Sequence, residues 1–431
     1  MTIIRNGLIV DPANNIKSTG DIYFDGSLIE KVITDGNTAD EYLANKYKDA
    51  EIIDASGLLV TPGFIDVHSH FRDPGFEYKE DIYTGAKAAA AGGYTTVVLM
   101  CNTKPVVDNP ETLDYVLNKG RETGINVESC SSVSIGLKGM TLVDFETMKS
   151  HGAVGFTDDG IPLMDENILR EAFRKADNYP VSLHEEDKNL IKENGVNHGK
   201  ASEHFGLYGS PREAEISLIE RDVKIALEEN GVLNVQHISS AEGVEIVRKA
   251  RKVPGNRIHA EATPQHFSLT EDAVIQKGTM AKLNPPFREE KDRLAIIEGL
   301  KDNTIDIIAT DHAPHSKEEK EKDLTSAPSG ITGLETAYSL VNMHLVNEAG
   351  MDVSDAISKL TINPAKLYNF DRGTLSEGKA ADITILDPNE EWIVKEFRSK
   401  ASNSPFIGEK MTGKVKMTIC NGKTVYNDIN R

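Results

Sequence analysis

The stretch GFIDVHSHFRDPG, residues 63–75, ends an apolar run on two histidines and an arginine. The apolar run predicts a buried strand, so His68 and His70 lie at its carboxyl end. Residues two apart on a strand point to the same side of the sheet. Because imidazole is a common ligand of divalent metals, two imidazoles side by side at the end of a buried strand indicate a metal site.

Seven further apolar runs follow, and segments that can form helices separate them. Continuous apolar strands that alternate with helices predict a parallel sheet covered on both faces. Eight such units predict a (β/α)₈ TIM barrel, an α/β fold. The predicted strands cover residues 63–67, 95–100, 125–133, 153–157, 180–184, 233–237, 257–263 and 305–311.

Short strand patterns with Gly, Asn and Asp in the turns occupy both ends of the chain. The final pattern contains Asn421-Gly422, a strong signal for a tight hairpin. We expect residues 1–61 and 375–431 to form one small, split β-sandwich domain. Residues 62–374 would then form the barrel and carry the metal site.

The composition argues against a role in nucleic-acid binding or in a membrane. The chain has 431 residues, with 48 Lys and Arg against 68 Asp and Glu, a net charge of −20. Nucleic-acid binding favours a basic face instead. No apolar run reaches the roughly 18 residues of a membrane span, and the N-terminus has no apolar segment typical of a signal peptide. Three cysteines without metal-binding spacing predict a cytoplasmic protein.

Six imidazole or carboxylate side chains fall at or just after the ends of predicted strands. A single histidine at a strand end is more often an ordinary polar residue. Active sites of TIM barrels lie at the carboxyl ends of the strands, so six such groups around one opening indicate a metal centre. Imidazole and carboxylate suit Zn²⁺, with Mn²⁺ and Fe²⁺ as alternatives. The six residues are His68, His70, Asp159, His184, His237 and Asp311.

The sequence resembles the dihydroorotase family of the amidohydrolase superfamily, in its long class with a split β-domain. The resemblance rests on DVHSHFRDPG, CNTKPVVDNPETL, GFTDDG, KLNPPFREEKDR, IDIIATDHAPHS and APSGITGLET, in that order along the chain. It covers residues 55–385 approximately. It implies an enzyme that reversibly cyclises N-carbamoyl-L-aspartate to (S)-dihydroorotate in pyrimidine biosynthesis.

By this resemblance the protein binds two divalent metal ions, with Zn²⁺ as the expected element. The six groups would divide into His68, His70 and Asp311 on one ion and His184 and His237 on the other. Many relatives bridge the two ions with a carboxylated lysine, and one branch uses aspartate instead. Residues 150–174 contain no lysine. Asp159 is therefore the expected bridge, and Asp158 is the less favoured alternative.

The resemblance also implies the residues that act on the substrate. Asp311 would be the catalytic acid–base, because it can accept a proton from water and pass it to the leaving nitrogen. Arg72 could bind a substrate carboxylate through two parallel hydrogen bonds, although an ion pair with Asp73 or Glu77 is an alternative. The other substrate contacts would come from His70, Asn102, Asn284 and His315 and from the backbone of Ser329 and Gly330.

Two alternative functions stay open from the sequence. The first is a related cyclic amidohydrolase: an allantoinase, a hydantoinase or a dihydropyrimidinase. Arg72 and Asn102 argue against the last two, since their substrates lack the ring carboxylate. The second is an inactive relative that serves as a partner of aspartate transcarbamoylase, and the six retained metal-binding residues argue against it. A homodimer and a transcarbamoylase complex stay open for the active enzyme as well.

Overall fold

The structure is a computed structural model, and it describes residues 1–34, 39 and 41–429. In chain order its strands are β1 (Thr2–Asp11), β2 (Ile16–Asp25), β3 (Leu28–Thr34), β4 (Glu51–Asp54), β5 (Leu59–Pro62), β6 (Phe64–Ser69), β7 (Tyr94–Leu99), β8 (Asn126–Ser129), β9 (Phe156–Thr157), β10 (Val181–Leu183), β11 (Leu233–Val235), β12 (Ile258–Ala262), β13 (Ile307–Ile308), β14 (Ile383–Ile393), β15 (Lys410–Cys420) and β16 (Lys423–Asn427).

The helices lie mainly between the middle strands. They are α1 (Glu41–Lys46), α2 (Ile82–Ala91), α3 (Pro110–Arg121), α4 (Phe145–Ser150), α5 (Glu166–Ala176), α6 (Lys200–Phe205), α7 (Arg212–Glu229), α8 (Ala241–Ala250), α9 (Pro264–Ser268), α10 (Asp272–Lys277), α11 (Glu290–Lys301), α12 (Lys317–Lys320), α13 (Ala337–Leu340), α14 (Val353–Ser358) and α15 (Ile362–Leu367). A π-helical segment, Val341–Glu348, continues α13.

Strands β6 to β13 close into a parallel barrel. Strands β6, β7 and β8 form one sheet, and β9 to β13 form a second. Bridges between Ser131 and Phe156 and between Ser69 and His312 join the two sheets at both edges. Every residue of β6 and β7 is buried, as expected for parallel strands covered by helices. The predicted TIM barrel is therefore confirmed.

Side-chain caps define where the covering helices begin. The carboxylate of Asp81 accepts a hydrogen bond from the N–H of Thr84 at 2.9 Å, at the start of α2. Asn109 caps α3 in the same way, and Pro110 occupies the first turn of that helix. These caps fix where each helix begins. The loop residues between the carboxyl end of a strand and the cap therefore do not belong to the helix.

The strands of both termini form one eight-stranded sheet, the predicted small β-sandwich domain. Its order is β16-β15-β14-β5-β1-β2-β3, and β4 pairs with β1. Strand β5 joins the two halves, because it pairs with β1 on one side and with β14 on the other. Ile9, Val60 and Ile383 share one buried core. Asn421 and Gly422 form the predicted hairpin, with φ of 48° and 72°.

Several barrel strands are shorter than the sequence pattern predicts, and β9 and β13, of two residues each, are the shortest. The pattern at 153–157 forms only the two residues of β9, and the pattern at 305–311 forms only the two residues of β13. After β13 the backbone turns at Asp311, whose φ is 46°.

The proposed domain division at residues 61/62 and 374/375 stays a prediction. In the described part of the chain, no helix has the length and apolar character to cross a bilayer.

Candidate metal and substrate site

Four histidines and two aspartates converge at the carboxyl end of the barrel. Each lies at the end of a barrel strand or within three residues after it, on β6, β9, β10, β11 or β13. The structure brings together all six residues that the sequence predicts as metal ligands. All are buried: His68, His70, Asp159, His184, His237 and Asp311.

Asp159 lies among the imidazoles. Its Oδ1 is 3.3 Å from Nε2 of His68 and 4.0 Å from Nε2 of His237, and its Oδ2 is 3.4 Å from Nε2 of His70. Oδ1 of Asp311 is 3.1 Å from Nε2 of His70 and 3.5 Å from Nε2 of His68. These side chains form two groups that can each hold a metal ion, and the groups share His68.

His184 faces the cluster through its Nδ1 atom. This atom is 3.0 Å from Nε2 of His237 and 3.9 Å from Oδ1 of Asp159. On the other side of the ring, Nε2 of His184 donates to Oε2 of Glu186 at 3.0 Å. The other oxygen of Glu186 accepts from the hydroxyl of Ser210 at 3.0 Å. A proton on Nε2 leaves the lone pair of Nδ1 directed into the cluster.

A second carboxylate, Glu261, orients His68. Its Oε2 is 3.0 Å from Nδ1 of His68, and its Oε1 accepts from Nδ2 of Asn234 at 2.5 Å. Nε2 of His68 is buried, and none of the described residues forms a hydrogen bond with it. A divalent metal would satisfy this atom, and carboxylates that hold the outer nitrogen of a ligand imidazole are common at metal sites. The residues present therefore fit a metal ion.

The charges of the cluster favour the uptake of positive charge. Burial lowers the pKa of His68, but the carboxylates of Asp159 and Asp311 outweigh burial and raise that pKa well above its ordinary value. Burial raises the pKa of Asp159, but His68 and the other imidazoles outweigh it and lower that pKa well below its ordinary value. Protons and metal ions would therefore compete for the same place.

Backbone strain is concentrated at this site. His237, Asp311 and Arg72 have φ of 32°, 46° and 62°, in the left-handed region that residues with a Cβ rarely adopt. Such a conformation costs about 1–3 kcal/mol and persists where the surrounding structure enforces it. Each of the three residues follows a barrel strand, so the strained turns set the direction of the functional side chains.

Asp158 does not face the cluster. Its Oδ1 accepts from the N–H groups of Val133 and Ser134 at 2.8 and 3.1 Å, and its Oδ2 accepts from the hydroxyl of Ser134. Burial raises the pKa of Asp158 to about 6. The carboxylate of Asp158 is thus hydrogen-bonded to the loop that follows β8. This geometry supports Asp159, rather than Asp158, as the bridging residue.

Arg72 lies beside the cluster and pairs with no carboxylate in residues 1–34, 39 and 41–429. Its Nε donates to the carbonyl of Pro314 at 3.2 Å. Asp73 pairs with Lys119 at 2.6 Å, and Glu77 accepts from the N–H of Gly75 at 2.9 Å. Neither acidic neighbour in sequence therefore pairs with Arg72. Its guanidinium keeps hydrogen bonds available for an anionic ligand.

His315 is held as a neutral imidazole next to Arg72. Its Nε2 is 3.5 Å from Nη2 of Arg72 and donates to the carbonyl of Ser329 at 2.8 Å. Lys79 donates to its Nδ1 at 3.3 Å. Burial lowers the pKa of His315 far below its ordinary value, and the positive charges of Arg72 and Lys79 lower it further.

Two predicted substrate residues have buried oxygens that find no hydrogen-bond partner in the described part of the chain. They are Oδ1 of Asn284 and Oγ of Ser329, and both can accept hydrogen bonds from a ligand. Gly330 has φ of 145°, and a Cβ there would meet the carbonyl of Ala313 at 2.8 Å, so glycine is required. The N–H of Gly330 already donates to the carbonyl of Lys282 at 2.9 Å. The backbone contact predicted for Gly330 stays a prediction.

Asn102 contacts two of the predicted metal ligands. Its Oδ1 is 3.0 Å from Nδ1 of His70, and its Nδ2 donates to Oδ2 of Asp159 at 3.0 Å. Asn102 thus orients an imidazole and a carboxylate of the cluster. Its role as a contact of the substrate carboxylate, like that of His70 as a substrate contact, stays a prediction.

Known proteins match this chain along nearly its whole length. A model of the amidohydrolase family matches residues 59–425. The dihydroorotase of Clostridium acetobutylicum is 51% identical over 432 residues, which cover 99% of this chain and 100% of the relative. The dihydroorotase of Clostridioides difficile is 49% identical over 429 residues, with coverage of 99% and 100%. The chain belongs to the dihydroorotase family of amidohydrolases.

Solved structures share the fold of this dihydroorotase-family chain. L-Hydantoinase (dihydropyrimidinase) from Arthrobacter aurescens has a TM-score of 0.87 and 25% identity, over 99% of this chain and 96% of that chain. Dihydropyrimidinase from Brevibacillus agri has a TM-score of 0.81 and 22% identity, over 99% and 95%. The combination of a TIM barrel with a small β-sandwich domain is thus shared with these proteins.

Sequence reasoning missed two residues that complete the site of this dihydroorotase-family chain. Glu261 is a carboxylate inside an apolar barrel strand, and this position was a usable signal, because an unpaired charge is rarely buried. Glu186 follows the predicted ligand His184 by two residues, so it lies close to the site in sequence as well. The amidohydrolase family uses divalent metals, and Glu261 contacts His68, which belongs to both groups that could hold one.

Proposed function

We propose that the protein is a dihydroorotase, which reversibly cyclises N-carbamoyl-L-aspartate to (S)-dihydroorotate and water in pyrimidine biosynthesis. One observation carries the proposal: a buried cluster of four imidazoles and two carboxylates lies beside Arg72, which has no acidic partner among the residues that the structure describes. The cluster suits hydrolysis of an amide, and the arginine suits a substrate with a carboxylate. The chain is also 51% identical to a dihydroorotase over its length.

The proposed metal content is two divalent ions, with Zn²⁺ as the element. His68, His70 and Asp311 would hold one ion, His184 and His237 would hold the other, and Asp159 would bridge them. When bound, such ions supply hydroxide at neutral pH and stabilise negative charge on the attacked amide carbonyl.

Asp311 is the proposed acid–base. Burial raises the pKa of Asp311, but His68 and His70 outweigh it and lower that pKa below its ordinary value. The carboxylate is therefore ionised at neutral pH and can accept a proton from the attacking water. In ring opening it passes this proton to the leaving nitrogen, and in ring closure the proton moves the other way.

Arg72 is the proposed anchor for the substrate carboxylate. A guanidinium can donate two parallel hydrogen bonds to one carboxylate, and His315 adds a neutral group beside it. The free Oδ1 of Asn284 can accept from a ring N–H. These contacts would orient the ring so that the scissile amide faces the cluster. Hydantoin and dihydrouracil lack the carboxylate, so they would lose the contact with Arg72.

The cysteines bear on where in the cell the protein acts. The three cysteines are unpaired and buried, which supports a place in the reducing cytoplasm. An inactive partner of aspartate transcarbamoylase would tolerate loss of the metal-binding residues, and all six are present here. A homodimer and a complex of the active enzyme with aspartate transcarbamoylase stay predictions. Analytical ultracentrifugation of the protein, alone and with that enzyme, tests both.

The decisive experiment compares four cyclic amides on the metal-loaded protein. We expect turnover of dihydroorotate to exceed that of hydantoin, dihydrouracil and allantoin. Ring closure converts a dianion to a monoanion and consumes one proton. The equilibrium ratio of open to closed product should therefore rise about tenfold per pH unit. Preference for allantoin or hydantoin would contradict the proposal.

A further inference from the structure

Two lysines are buried beneath the loop that follows the last barrel strand. Lys282 is 1% exposed and Lys320 is 4% exposed. No carboxylate in the described part of the chain lies within ion-pair distance of either ammonium group; both bind backbone carbonyls. Burial of an ammonium group without a carboxylate partner is rare and unfavourable, because the charge loses its hydration. The carbonyl contacts must therefore replace that hydration.

The two ammonium groups hold one loop, which we call the lysine-anchored loop, residues 324–330. Nζ of Lys320 donates to the carbonyls of Pro328 and Gly330 at 3.0 and 3.1 Å. Nζ of Lys282 donates to the carbonyls of Leu324 and Ala327, both at 2.7 Å.

The two lysines also contact each other through the backbone. Nζ of Lys320 is 3.4 Å from the carbonyl of Lys282, and this same carbonyl accepts from the N–H of Gly330 at 2.9 Å. The segment around Lys282, the helix α12 that ends at Lys320 and the loop thus form one hydrogen-bonded unit. A change at either lysine would loosen the loop.

The lysine-anchored loop lies against the proposed substrate contacts. Its Ser329 carbonyl accepts a hydrogen bond from His315, and the buried Ser329 hydroxyl has no partner among the residues described. The charge of Lys320 also acts on His315, together with the charges of Arg72 and Lys79. The same positive field would act on a carboxylate bound by Arg72.

We propose that Lys320 and Lys282 are positioning residues of the substrate site. Their ammonium groups hold the lysine-anchored loop in its binding conformation, and Lys320 adds positive charge beside Arg72 and His315. This inference rests on the proposed function, because it takes the ligand to be the anionic dihydroorotate or N-carbamoyl-aspartate. The two lysines act through the loop and the local field, so their effect falls on substrate affinity.

The state of Lys320 changes in the physiological pH range. Burial, together with the positive charge of Lys282, lowers the pKa of Lys320 to about 7, and the charge of Glu319 only partly opposes this shift. His315, which also lies within the field of Lys320, is neutral throughout this range. The ammonium group is therefore lost as pH rises through about 7. The loop contacts and the local positive charge weaken in the same direction, so KM should rise with pH.

The test uses Lys320→Met, with kcat and KM for dihydroorotate measured from about pH 6 to about pH 9. The matched control is Lys317→Met, on the same helix, whose side chain is 82% exposed. We expect Lys320→Met to raise KM about tenfold at the acidic end, with little change in kcat. Its KM should then stay flat with pH, whereas the wild type and the control show a rising KM.

The inference would be overturned by a Lys320→Met variant that keeps the wild-type KM at acidic pH. The inference would also be overturned if KM of Lys320→Met rose with pH as steeply as KM of the wild type. If Lys320→Met fails to fold, the test uses Lys320→Arg instead. Arginine stays charged over this pH range, so KM of Lys320→Arg should not rise with pH. A rise of its KM as large as that of the wild type would contradict the inference. Absence of dihydroorotate turnover by the wild type is a different result, which contradicts the proposed function itself.

Discussion

Nδ1 of His68 lies 3.0 Å from Oε2 of Glu261, and this contact leaves Nε2 of His68 as the atom that faces Asp159 and Asp311. His184 has the opposite arrangement, with Nε2 bound to Glu186 and Nδ1 facing the cluster. The two imidazoles thus present different nitrogens to the same space. A buried carboxylate fixes the choice for each ring.

The first prediction concerns Glu261→Gln. The carboxylate of Glu261 attracts the proton on Nδ1 of His68 and so makes Nε2 a stronger electron donor. The neutral amide of glutamine lacks this charge, so His68 should become a weaker metal ligand. Metal affinity should fall about 10–100-fold, as measured by equilibrium dialysis against a chelator. Glu298→Gln is the control, because that side chain is 65% exposed on the barrel surface. An unchanged metal affinity in Glu261→Gln would show that Glu261 only fills space.

Asp311→Asn should remove the proton acceptor while the barrel stays folded. General acid–base catalysis contributes roughly 10²–10⁴-fold, so kcat should fall by at least about 10²-fold. The measurement is turnover of dihydroorotate, with metal content determined on the same sample. Near-normal turnover at full metal content would place the base on another residue.

Asp159→Ala and Asp158→Ala separate the two neighbouring carboxylates. Asp159→Ala should empty or weaken both metal sites, because Asp159 lies among the imidazoles. Asp158→Ala should keep the metals but lower the melting temperature, since it leaves the N–H groups of Val133 and Ser134 without their acceptor. Elemental analysis and thermal unfolding measure the two effects. The reverse pattern of metal loss would identify Asp158 as the bridge.

An aspartate bridge also predicts how the metal-free protein refills. A carboxylated lysine needs carbon dioxide, whereas Asp159 needs divalent metal alone. Activity should therefore return fully in carbon-dioxide-free buffer. A requirement for bicarbonate would rule out the aspartate bridge.

Arg72→Met should affect the substrate and not the metal. Methionine has a similar length but donates no hydrogen bonds, and hydrogen bonds to charged groups contribute about 1.5–3 kcal/mol. The value of kcat/KM for dihydroorotate should therefore fall at least about tenfold. Any turnover of dihydrouracil, which has no carboxylate, should be unaffected. Equal losses on both substrates would make Arg72 a structural residue and favour the hydantoinase alternative.

The metal affinity should increase with pH. Without metal, the pKa of His68 is raised by Asp159 and Asp311, so His68 is protonated below this raised pKa and must lose its proton when metal binds. The apparent affinity is therefore weaker at acidic pH and strengthens until the raised pKa is passed. Metal titrations at about pH 6 and about pH 8 measure the difference. Equal affinities would mean that His68 does not bind the metal.

The barrel and the convergence of the six imidazole and carboxylate side chains could be predicted because their signals are local. Each apolar run marks a strand within a few residues, and His68 and His70 lie only two residues apart. Strand ends converge in a TIM barrel, so the positions of Asp159, His184, His237 and Asp311 along the chain were enough to bring them together.

The contacts that surround the six side chains could not be predicted. They join residues far apart in sequence or involve backbone groups. Glu261 reaches His68 across 193 positions of sequence. Lys320 binds carbonyl groups, which every residue carries, so no side-chain pattern indicates it. The side-chain direction of Asn102, towards His70 and Asp159, likewise depends on how the loop after β7 folds.

The pairing of β5 with β14 has a consequence for how the protein is made. Strand β5 leaves the ribosome early, whereas its partner begins at residue 383. Until then the nascent chain carries Ile9 and Val60 without the C-terminal half of their core. Apolar side chains of residues 1–62 therefore stay exposed until residue 383 and the strand it begins have been synthesised. A transcript truncated before β14 would yield an aggregation-prone product even where the barrel sequence is complete.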